Sequence, residues 1–165
     1  MKIFVVADTH FNHENIIKYC ERPFINAQEM NEILIKNWNK VISKNDIVFH
    51  LGDYGFGSKE DLQKIFNRLN GKKYLIMGNH DLRVGKKYYQ ELGFKEVYKK
   101  QYEFDKYILT HRPIEVSKNK INVYGHIHNK PVETKYNDDS HICVSLDKTN
   151  FKPIYLTEID EEGGF

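Results

Sequence analysis

The chain has 165 residues, 40% of them apolar, and its 25 basic and 23 acidic side chains give a net charge of +2. This length is enough for one domain with its own hydrophobic core, and we predict a single domain over residues 1–165. The balanced charge gives no signal for a nucleic-acid-binding surface. Composition therefore predicts a globular class of protein but no chemistry.

Neither the apolar runs nor the cysteines indicate a membrane or secreted protein. No apolar run approaches the ~20 residues that a membrane-spanning helix needs. The apolar N-terminus is short and is interrupted by Asp8, so we expect no signal peptide. Cys20 and Cys143 are the only cysteines and lie far apart, which predicts no disulfide framework and a cytoplasmic location.

Strands and helices alternate in the first half of the chain. Strands are predicted at residues 2–7, 46–51 and 73–77, and the first of these runs is apolar almost throughout, which suits a strand buried on both faces. Two amphipathic segments between them predict helices, at residues 28–43 and 59–69. Asn26 and Ser58 are the expected N-caps of these helices. This order favours parallel strands with crossover helices.

The second half of the chain is richer in short strands. A hairpin is predicted around Asp105, followed by three further strands, at residues 121–124, 142–145 and 154–156. The charged run 86–100 is expected to be a solvated face, and the acidic tail 158–162 is expected to fray. The whole pattern predicts a layered α/β domain with a mixed sheet or a sheet sandwich.

Short polar motifs follow five of the predicted strands. They are Asp8-Thr9-His10, Gly52-Asp53, Gly78-Asn79-His80-Asp81, Thr110-His111-Arg112-Pro113 and Gly125-His126-Ile127-His128. Ligands in open α/β sheets bind beyond the carboxyl ends of the strands, so we expect the motifs to converge on one site. Imidazole, carboxylate and amide groups together suit divalent ions such as Mn, Fe, Zn or Ni.

The ordered set DxH, GD, GNH(D), a lone His and GHxH resembles the calcineurin-like metallophosphoesterase family, from Asp8 to His128. The opening DTHFNHENIIKYCERPF is similar to that of the small bacterial and phage-borne members. The resemblance implies a layered α/β-β-α sandwich with mixed sheets. It also implies a phosphoester-hydrolysing enzyme with two divalent ions, for which we expect Mn first and Fe, Zn or Ni as alternatives.

The family pattern also implies a role for each metal ligand. One ion would be held by Asp8, His10 and His128, the other by Asn79, His111 and His126, with Asp53 bridging both. In such sites the ions lie ~3.5–4 Å apart and activate a hydroxide that attacks phosphorus.

Two further motif residues are implied to take part in catalysis. His80 resembles the family's catalytic histidine, which stabilises the transition state or protonates the leaving oxygen. Asp81 either orients His80 or caps the following turn. His50 and His141 lie in no motif, and we expect ordinary surface or core histidines there, with His50 placed so that it could support the ligands.

Four residues near the motifs are candidate substrate contacts. Asn12 and His13 follow the first motif and either face the substrate or cap the next segment. Arg22 and Arg112 are candidates for phosphate contacts, because the planar guanidinium matches phosphate oxygens, and the alternative is a solvated surface arginine.

The favoured function is phosphodiester hydrolysis. The chain has no evident insertion that would form a lid, and an open site tolerates substituents on both sides of phosphorus. A phosphomonoesterase is the main alternative. A nuclease ranks lower because the charge is balanced, and a non-catalytic interaction module ranks lower because every ligand is present. The sequence leaves the substrate and the oligomeric state open.

Overall fold

A computed structural model describes residues 1–158, and the rest of the acidic tail, for which fraying is predicted, lies outside the described residues. The helices are α1 Glu14–Tyr19, α2 Ala27–Val41, α3 Lys59–Arg68, α4 Asn79–Val84 and α5 Lys86–Leu92. The strands are β1 Lys2–Val6, β2 Ile47–His50, β3 Lys72–Ile76, β4 Val97–Tyr98, β5 Gln101–Phe104, β6 Tyr107–Thr110, β7 Ile121–Tyr124, β8 His141–Cys143 and β9 Ile154–Glu158.

The first sheet has the strand order β4-β3-β2-β1-β9. Strands β1 to β4 run parallel, and β9 pairs antiparallel with β1. The parallel pairing predicted for the first three strands is therefore confirmed. Strand β2 is buried along its whole length, including His50, as suits a central strand that is covered on both faces.

The second sheet has the order β5-β6-β7-β8. Strands β5 and β6 form the predicted antiparallel hairpin, and β6, β7 and β8 run parallel. A parallel bridge joins Ala7, at the end of β1, to Ser145, just beyond β8. The carboxyl ends of the central strands of both sheets therefore meet at one edge of the molecule.

Two hydrophobic clusters hold the layers together. One lies between the sheets and includes Val5, Phe49, Leu109 and Val123. The other packs the helices against the opposite face of the first sheet, with Trp38 of α2 completely enclosed. The outer face of the second sheet carries the 3₁₀ helix Thr134–Tyr136, whose tyrosine ring contacts Tyr124. The predicted layered α/β fold with two mixed sheets is confirmed.

The N-caps were predicted correctly, but three short helices were missed. The side chains of Asn26 and Ser58 accept hydrogen bonds from the backbone N–H groups of Glu29 and Asp61. Helix α5 lies within the run predicted to be a solvated face, yet it buries Tyr89 and Leu92. Helices α1 and α4, at six residues each, are too short for a periodic pattern to stand out.

Within residues 1–158 no helix combines the length and the apolar character needed to cross a membrane. The cytoplasmic location and the single domain over residues 1–165 remain predictions from the sequence.

Candidate metal centre

The five motifs lie together at the edge where the strands of both sheets end. Backbone hydrogen bonds fasten their loops to one another: Asp8 N–H donates to the Gly52 carbonyl at 3.0 Å, and His10 N–H donates to the Asp53 carbonyl at 3.1 Å. From the second sheet, the N–H of His126 donates to the Asp8 carboxylate at 2.8 Å. The site thus spans the two sheets, and its ligands come from loops that are far apart in the chain.

A first group of possible metal ligands consists of Asp8, His10, Asp53 and His128, whose ligand atoms lie within 4.8 Å of one another. Both ring nitrogens of His10 and Oδ1 of Asp8 are buried and have no hydrogen-bond partner among the described residues. Leaving such a group unsatisfied costs roughly 1–3 kcal/mol. A neutral imidazole carries a lone pair on one of its two ring nitrogens, so one nitrogen of His10 and Oδ1 of Asp8 offer two unused ligand atoms to a divalent cation.

A second group consists of Asp53, His111 and His126, again with ligand atoms within 4.8 Å. Nε2 of His111 lies 3.0 Å from Oδ1 of Asn79 and 3.2 Å from Nδ1 of His126. Nδ1 of His111 donates to the Leu51 carbonyl at 2.7 Å, which leaves Nε2 free to bind a cation. Asp53 belongs to both groups and occupies the position expected of a bridging ligand.

The electrostatics differ among the ligands. Burial lowers the pKa of His128 and of His111, but hydrogen bonds to Asp147 and to Asp53 outweigh it, so the pKa of His128 is raised to about 10, that of His111 is raised as well, and a cation would have to displace a proton there. Asp53 and His126, in contrast, suit cation binding at neutral pH. Burial acts to raise the pKa of Asp53, but His111, His10 and the N–H of His80 outweigh it and hold the pKa well below the usual range. Burial, together with the charges of His111 and Arg112, lowers the pKa of His126 to about 4. The carboxylate is therefore ionised and this imidazole neutral, which is the state in which each binds a metal.

Five of the seven predicted ligands have a backbone conformation that only glycine adopts readily. Positive φ angles occur at Asp8, His10, Asp53, His126 and His128, between 47° and 73°. Each such residue costs of order 1–3 kcal/mol and persists only where its surroundings enforce it. Strain concentrated on the ligand positions is typical of a functional site.

Two glycines make room for the ligand loops. A Cβ on Gly78 would lie 2.2 Å from Oδ1 of Asp53, and one on Gly52 would lie 2.5 Å from Nδ1 of His111. Gly52 also has φ of +96°, a conformation that side chains disfavour. The glycines of the GD and GNH motifs are therefore needed for close approach to the ligands themselves.

His80 lies at the open side of the first group. Its side chain is 34% exposed, and its Nε2 is 3.9 Å from Oδ2 of Asp53. Its ring contacts those of His10 and Phe56. This position, close to the ligands yet open to solvent, is compatible with the predicted contact to a substrate.

Asp81 does not fit the predicted orienting role. It is fully buried, and its two oxygens accept from the backbone N–H groups of Asp53 at 2.7 Å, Gly78 at 2.8 Å and Tyr54 at 3.1 Å. The carboxylate thus connects the GD loop to the start of α4. This role is similar to the alternative prediction, in which Asp81 caps the following turn. It is not placed to act on the imidazole of His80.

The two residues after the first motif have different surroundings. The side-chain N–H of Asn12 donates to the Phe56 carbonyl at 3.0 Å, and its Oδ1 accepts from Asn31 at 2.6 Å, so its polar atoms hold the loop. His13 caps α1, where its Nδ1 accepts from Ile16 N–H at 3.3 Å. Its ring also lies against Phe56, at a centroid distance of 4.3 Å, beside the site. Of the two, only His13 is placed to meet a substrate.

The two candidate arginines also differ. Arg112 is exposed beside His126, as a phosphate contact requires. Arg22 is only 4% exposed, and its guanidinium donates to Asp147 and to the carbonyls of Asp8 and Thr9. The prediction of a phosphate contact at Arg22 does not agree with this placement, because the donors are already used within the protein.

Several supporting residues were missed or underrated. Ser145 Oγ donates to Oδ2 of Asp8 at 2.6 Å, and Asp147 Oδ2 lies 3.3 Å from Nδ1 of His128. His50 is fully buried beneath the loops, where Nδ1 accepts from Gly52 N–H at 3.2 Å and Nε2 meets Thr9 Oγ1 at 2.8 Å. No motif carries Ser145 or Asp147; the one signal was their position at the end of a predicted strand, residues 142–145, and two residues beyond it.

The other histidine outside the motifs, His141, lies apart from the ligands. Its ring nitrogens meet Asp138 at 2.7 Å and the Ile114 carbonyl at 2.9 Å. It is an ordinary satisfied histidine, as expected.

Several cavities adjoin the ligand groups, among them one of about 210 Å³ that is lined by Arg112 and His126, among others, and two larger clefts. The Arg112 cleft, of about 440 Å³, lies beside the second group and has Asn79, His111 and Arg112 in its wall. The His13 cleft, of about 260 Å³, lies beside the first group and is lined by His10, His13, His80 and His128, among others. The two share no lining residue.

Comparison with known proteins supports the resemblance seen in the motifs. An uncharacterized protein of Methanocaldococcus jannaschii is 39% identical over 165 aligned residues, which cover 94% of this chain and 87% of that protein. The gene 66 protein of Mycobacterium phage L5 is 31% identical over 78 residues, 46% of this chain and 37% of the phage protein.

The fold is similar to that of a solved structure. A crystal structure of a protein of unknown function from Aquifex aeolicus superposes with a TM-score of 0.74 at 25% identity, covering 93% of this chain and 95% of the other.

The model of the calcineurin-like phosphoesterase family matches residues 1–160. With this match over nearly the whole chain, and with clustered Asp and His side chains that could hold metal, the protein belongs to the calcineurin-like phosphoesterase family.

Proposed function

We propose that the protein hydrolyses a phosphodiester with the help of two divalent ions, Mn²⁺ being the first expectation. The observation that carries this proposal is the pair of ligand groups that share Asp53, one of which contains buried lone-pair atoms without a partner. We propose that Asp8, His10, Asp53 and His128 hold one ion. Asn79, His111 and His126 hold the other together with Asp53.

Ions bound in this way lower the pKa of water and neutralise charge on phosphoryl oxygens. The chain supplies the rest of the chemistry. His80, open to solvent beside the first group, is proposed to meet the phosphoryl group or the leaving oxygen and to donate a proton there. Arg112 at the rim of the larger cleft is proposed to contact a non-bridging oxygen through its planar fork.

The preference for a diester is supported by the two clefts. A monoester carries one organic substituent and needs one cavity, whereas a diester carries two. The Arg112 cleft and the His13 cleft adjoin different ligand groups and share no lining residue, so each has room for one substituent. His13 is proposed to contact the substituent in the smaller cleft.

The test is a comparison of kcat/KM for a diester and a monoester in one metal-loaded preparation. We expect bis-nitrophenyl phosphate to be cleaved at least tenfold more efficiently than nitrophenyl phosphate, with activity lost on exhaustive chelation and restored by Mn²⁺. A strong preference for the monoester would replace this proposal by the phosphatase alternative. Activity in protein shown by elemental analysis to be metal-free would refute the role of the ions.

Arg112→Ala and Lys118→Ala form a matched pair for the substrate contact. Both remove one exposed cation, but only Arg112 lines the larger cleft. We expect Arg112→Ala to raise KM for the diester several-fold and Lys118→Ala to leave it unchanged. Equal effects of the two variants on KM would mean that Arg112 contributes only its positive charge to the surface and makes no specific contact with the substrate.

A further inference from the structure

Asp147 lies in the 3₁₀ helix Leu146–Lys148, just after the last strand of the second sheet. Its carboxylate is 2% exposed. Oδ1 accepts from Nε of Arg22 at 2.9 Å, and Oδ2 accepts from the second arm of the same guanidinium at 2.9 Å. Oδ2 also lies 3.3 Å from Nδ1 of His128. One buried carboxylate thus joins an arginine and a possible metal ligand.

Arg22 continues the connection to the first motif. Its Nη2 donates to the Asp8 carbonyl at 2.7 Å, and its Nη1 donates to the Thr9 carbonyl at 3.2 Å. Asp8 and the nearby His10 have φ of 60° and 47°, so this loop is held in a strained conformation. Two charge-assisted hydrogen bonds to its carbonyls are a physical means of holding it there.

We infer that Asp147 and Arg22 form a buried positioning pair that prepares the first ligand group for its cation, an inference that rests on the proposed metal centre. The Nδ1–H of His128 donates to Asp147, which leaves Nε2 as the ligand atom and fixes the plane of the ring. At the same time Arg22 fixes the loop that carries Asp8. The pair thereby aligns Asp8 and His128, which lie far apart in the chain, without touching the substrate.

An alternative is that Asp147 itself binds a cation, because its carboxylate, Cys20 and His128 have ligand atoms within 4.8 Å of one another. Against this, both oxygens of Asp147 already accept from Arg22, whose fixed positive charge would repel an added cation. The contacts therefore favour an orienting role for Asp147.

The experiment titrates metal-free protein with Mn²⁺ by calorimetry and by electron paramagnetic resonance of the free ion. In Asp147→Asn we expect one of two Mn²⁺ equivalents to bind 10–100-fold more weakly, as is typical when a ligand's orienting partner is lost, with the other unchanged. Arg22→Lys should weaken the same equivalent at least tenfold, because a single ammonium cannot span the carboxylate and both carbonyls. Diesterase activity of both variants should recover at saturating Mn²⁺.

Asp138→Asn is the matched control, because Asp138 makes the same kind of contact with a histidine, Nδ1 of His141 at 2.7 Å, away from the ligands. It should bind both equivalents like the wild type. If Asp147→Asn also does so, the inference is overturned. It is equally overturned if Asp147→Asn loses a cation that Arg22→Lys retains, since Asp147 would then be a ligand.

A second measurement does not depend on a folded variant. In the zinc-loaded wild type, nitrogen NMR should find the proton of His128 on Nδ1 and the metal on Nε2, and a proton on Nε2 would refute the inference. If the wild type binds two ions in this pattern but cleaves no phosphoester, the proposed function is refuted while the inference about Asp147 and Arg22 stands.

Discussion

Replacing Asp81 by alanine should lower the stability of the folded protein and not merely reduce its catalytic rate. The carboxylate is fully buried and accepts three backbone hydrogen bonds, at 2.7, 2.8 and 3.1 Å. Hydrogen bonds to charged groups contribute about 1.5 kcal/mol each or more, so the three together amount to roughly 4–5 kcal/mol. For a chain of this length that corresponds to a fall in Tm of roughly 10–18 °C.

The assay is denaturant unfolding of the metal-free protein. Asp81→Asn should lose about half as much free energy of unfolding as Asp81→Ala, because its amide keeps one acceptor oxygen. The exposed Asp139→Ala should change that free energy by no more than about 0.5 kcal/mol. An Asp81→Ala variant within 1 kcal/mol of the wild type that has nevertheless lost kcat would refute this reasoning and restore the orienting role.

Three further outcomes are expected. His80→Ala should keep both metal equivalents in a Mn²⁺ titration yet lose roughly a hundredfold or more in kcat. The loss should be larger on a diester that has an alkoxide leaving group than on bis-nitrophenyl phosphate. Loss of a metal equivalent would show that His80 is a ligand. Asp53→Asn should weaken both equivalents, because Asp53 belongs to both ligand groups, and a titration that finds one of them unaffected would exclude bridging. Burial lowers the pKa of His50 from 6.5 to about 3, so this residue should contribute a loss of about 2 kcal/mol of stability to metal-free protein from pH 7 to pH 5, as the unfolded chain takes up the proton that the folded protein excludes. Other buried histidines, such as His126, titrate in both proteins, so denaturant titrations at the two pH values should find that His50→Asn loses about 2 kcal/mol less than the wild type.

The parts of the site that the sequence predicted are those encoded locally. Each motif follows an apolar run, and a buried parallel strand needs only its own residues to be recognised. The turn glycines are local only as part of their motifs, because Gly52 and Gly78 precede Asp53 and Asn79 in the sequence but make room for His111 and Asp53. The motif positions could therefore be predicted before the sheet order was known, and the resemblance to the family implied which of their residues are ligands.

The residues that support the ligands could not be predicted in the same way. Arg22 was interpreted as a phosphate contact, because its partner Asp147 lies 125 positions away and nothing near it in the sequence indicates a buried pair. Both roles predicted for Asp81, orienting its neighbour His80 or capping the following turn, are local, whereas its partners include Asp53, 28 positions earlier. Such roles depend on which loops the topology brings together, and a local pattern does not contain that information.

The centre joins residues that lie far apart in the chain, and this affects its assembly during synthesis. Asp8 receives hydrogen bonds from His126 N–H and from Ser145 Oγ, which lie 118 and 137 positions later. A nascent chain that has not yet exposed these residues carries the first ligand loop without the partners that hold it in its strained conformation. Cation capture is therefore expected as one of the last events of folding, after the second sheet has emerged from the ribosome and docked on the first. Ribosome-bound chains of increasing length should accordingly acquire tight Mn²⁺ binding in a single late step, once residues up to 147 have emerged.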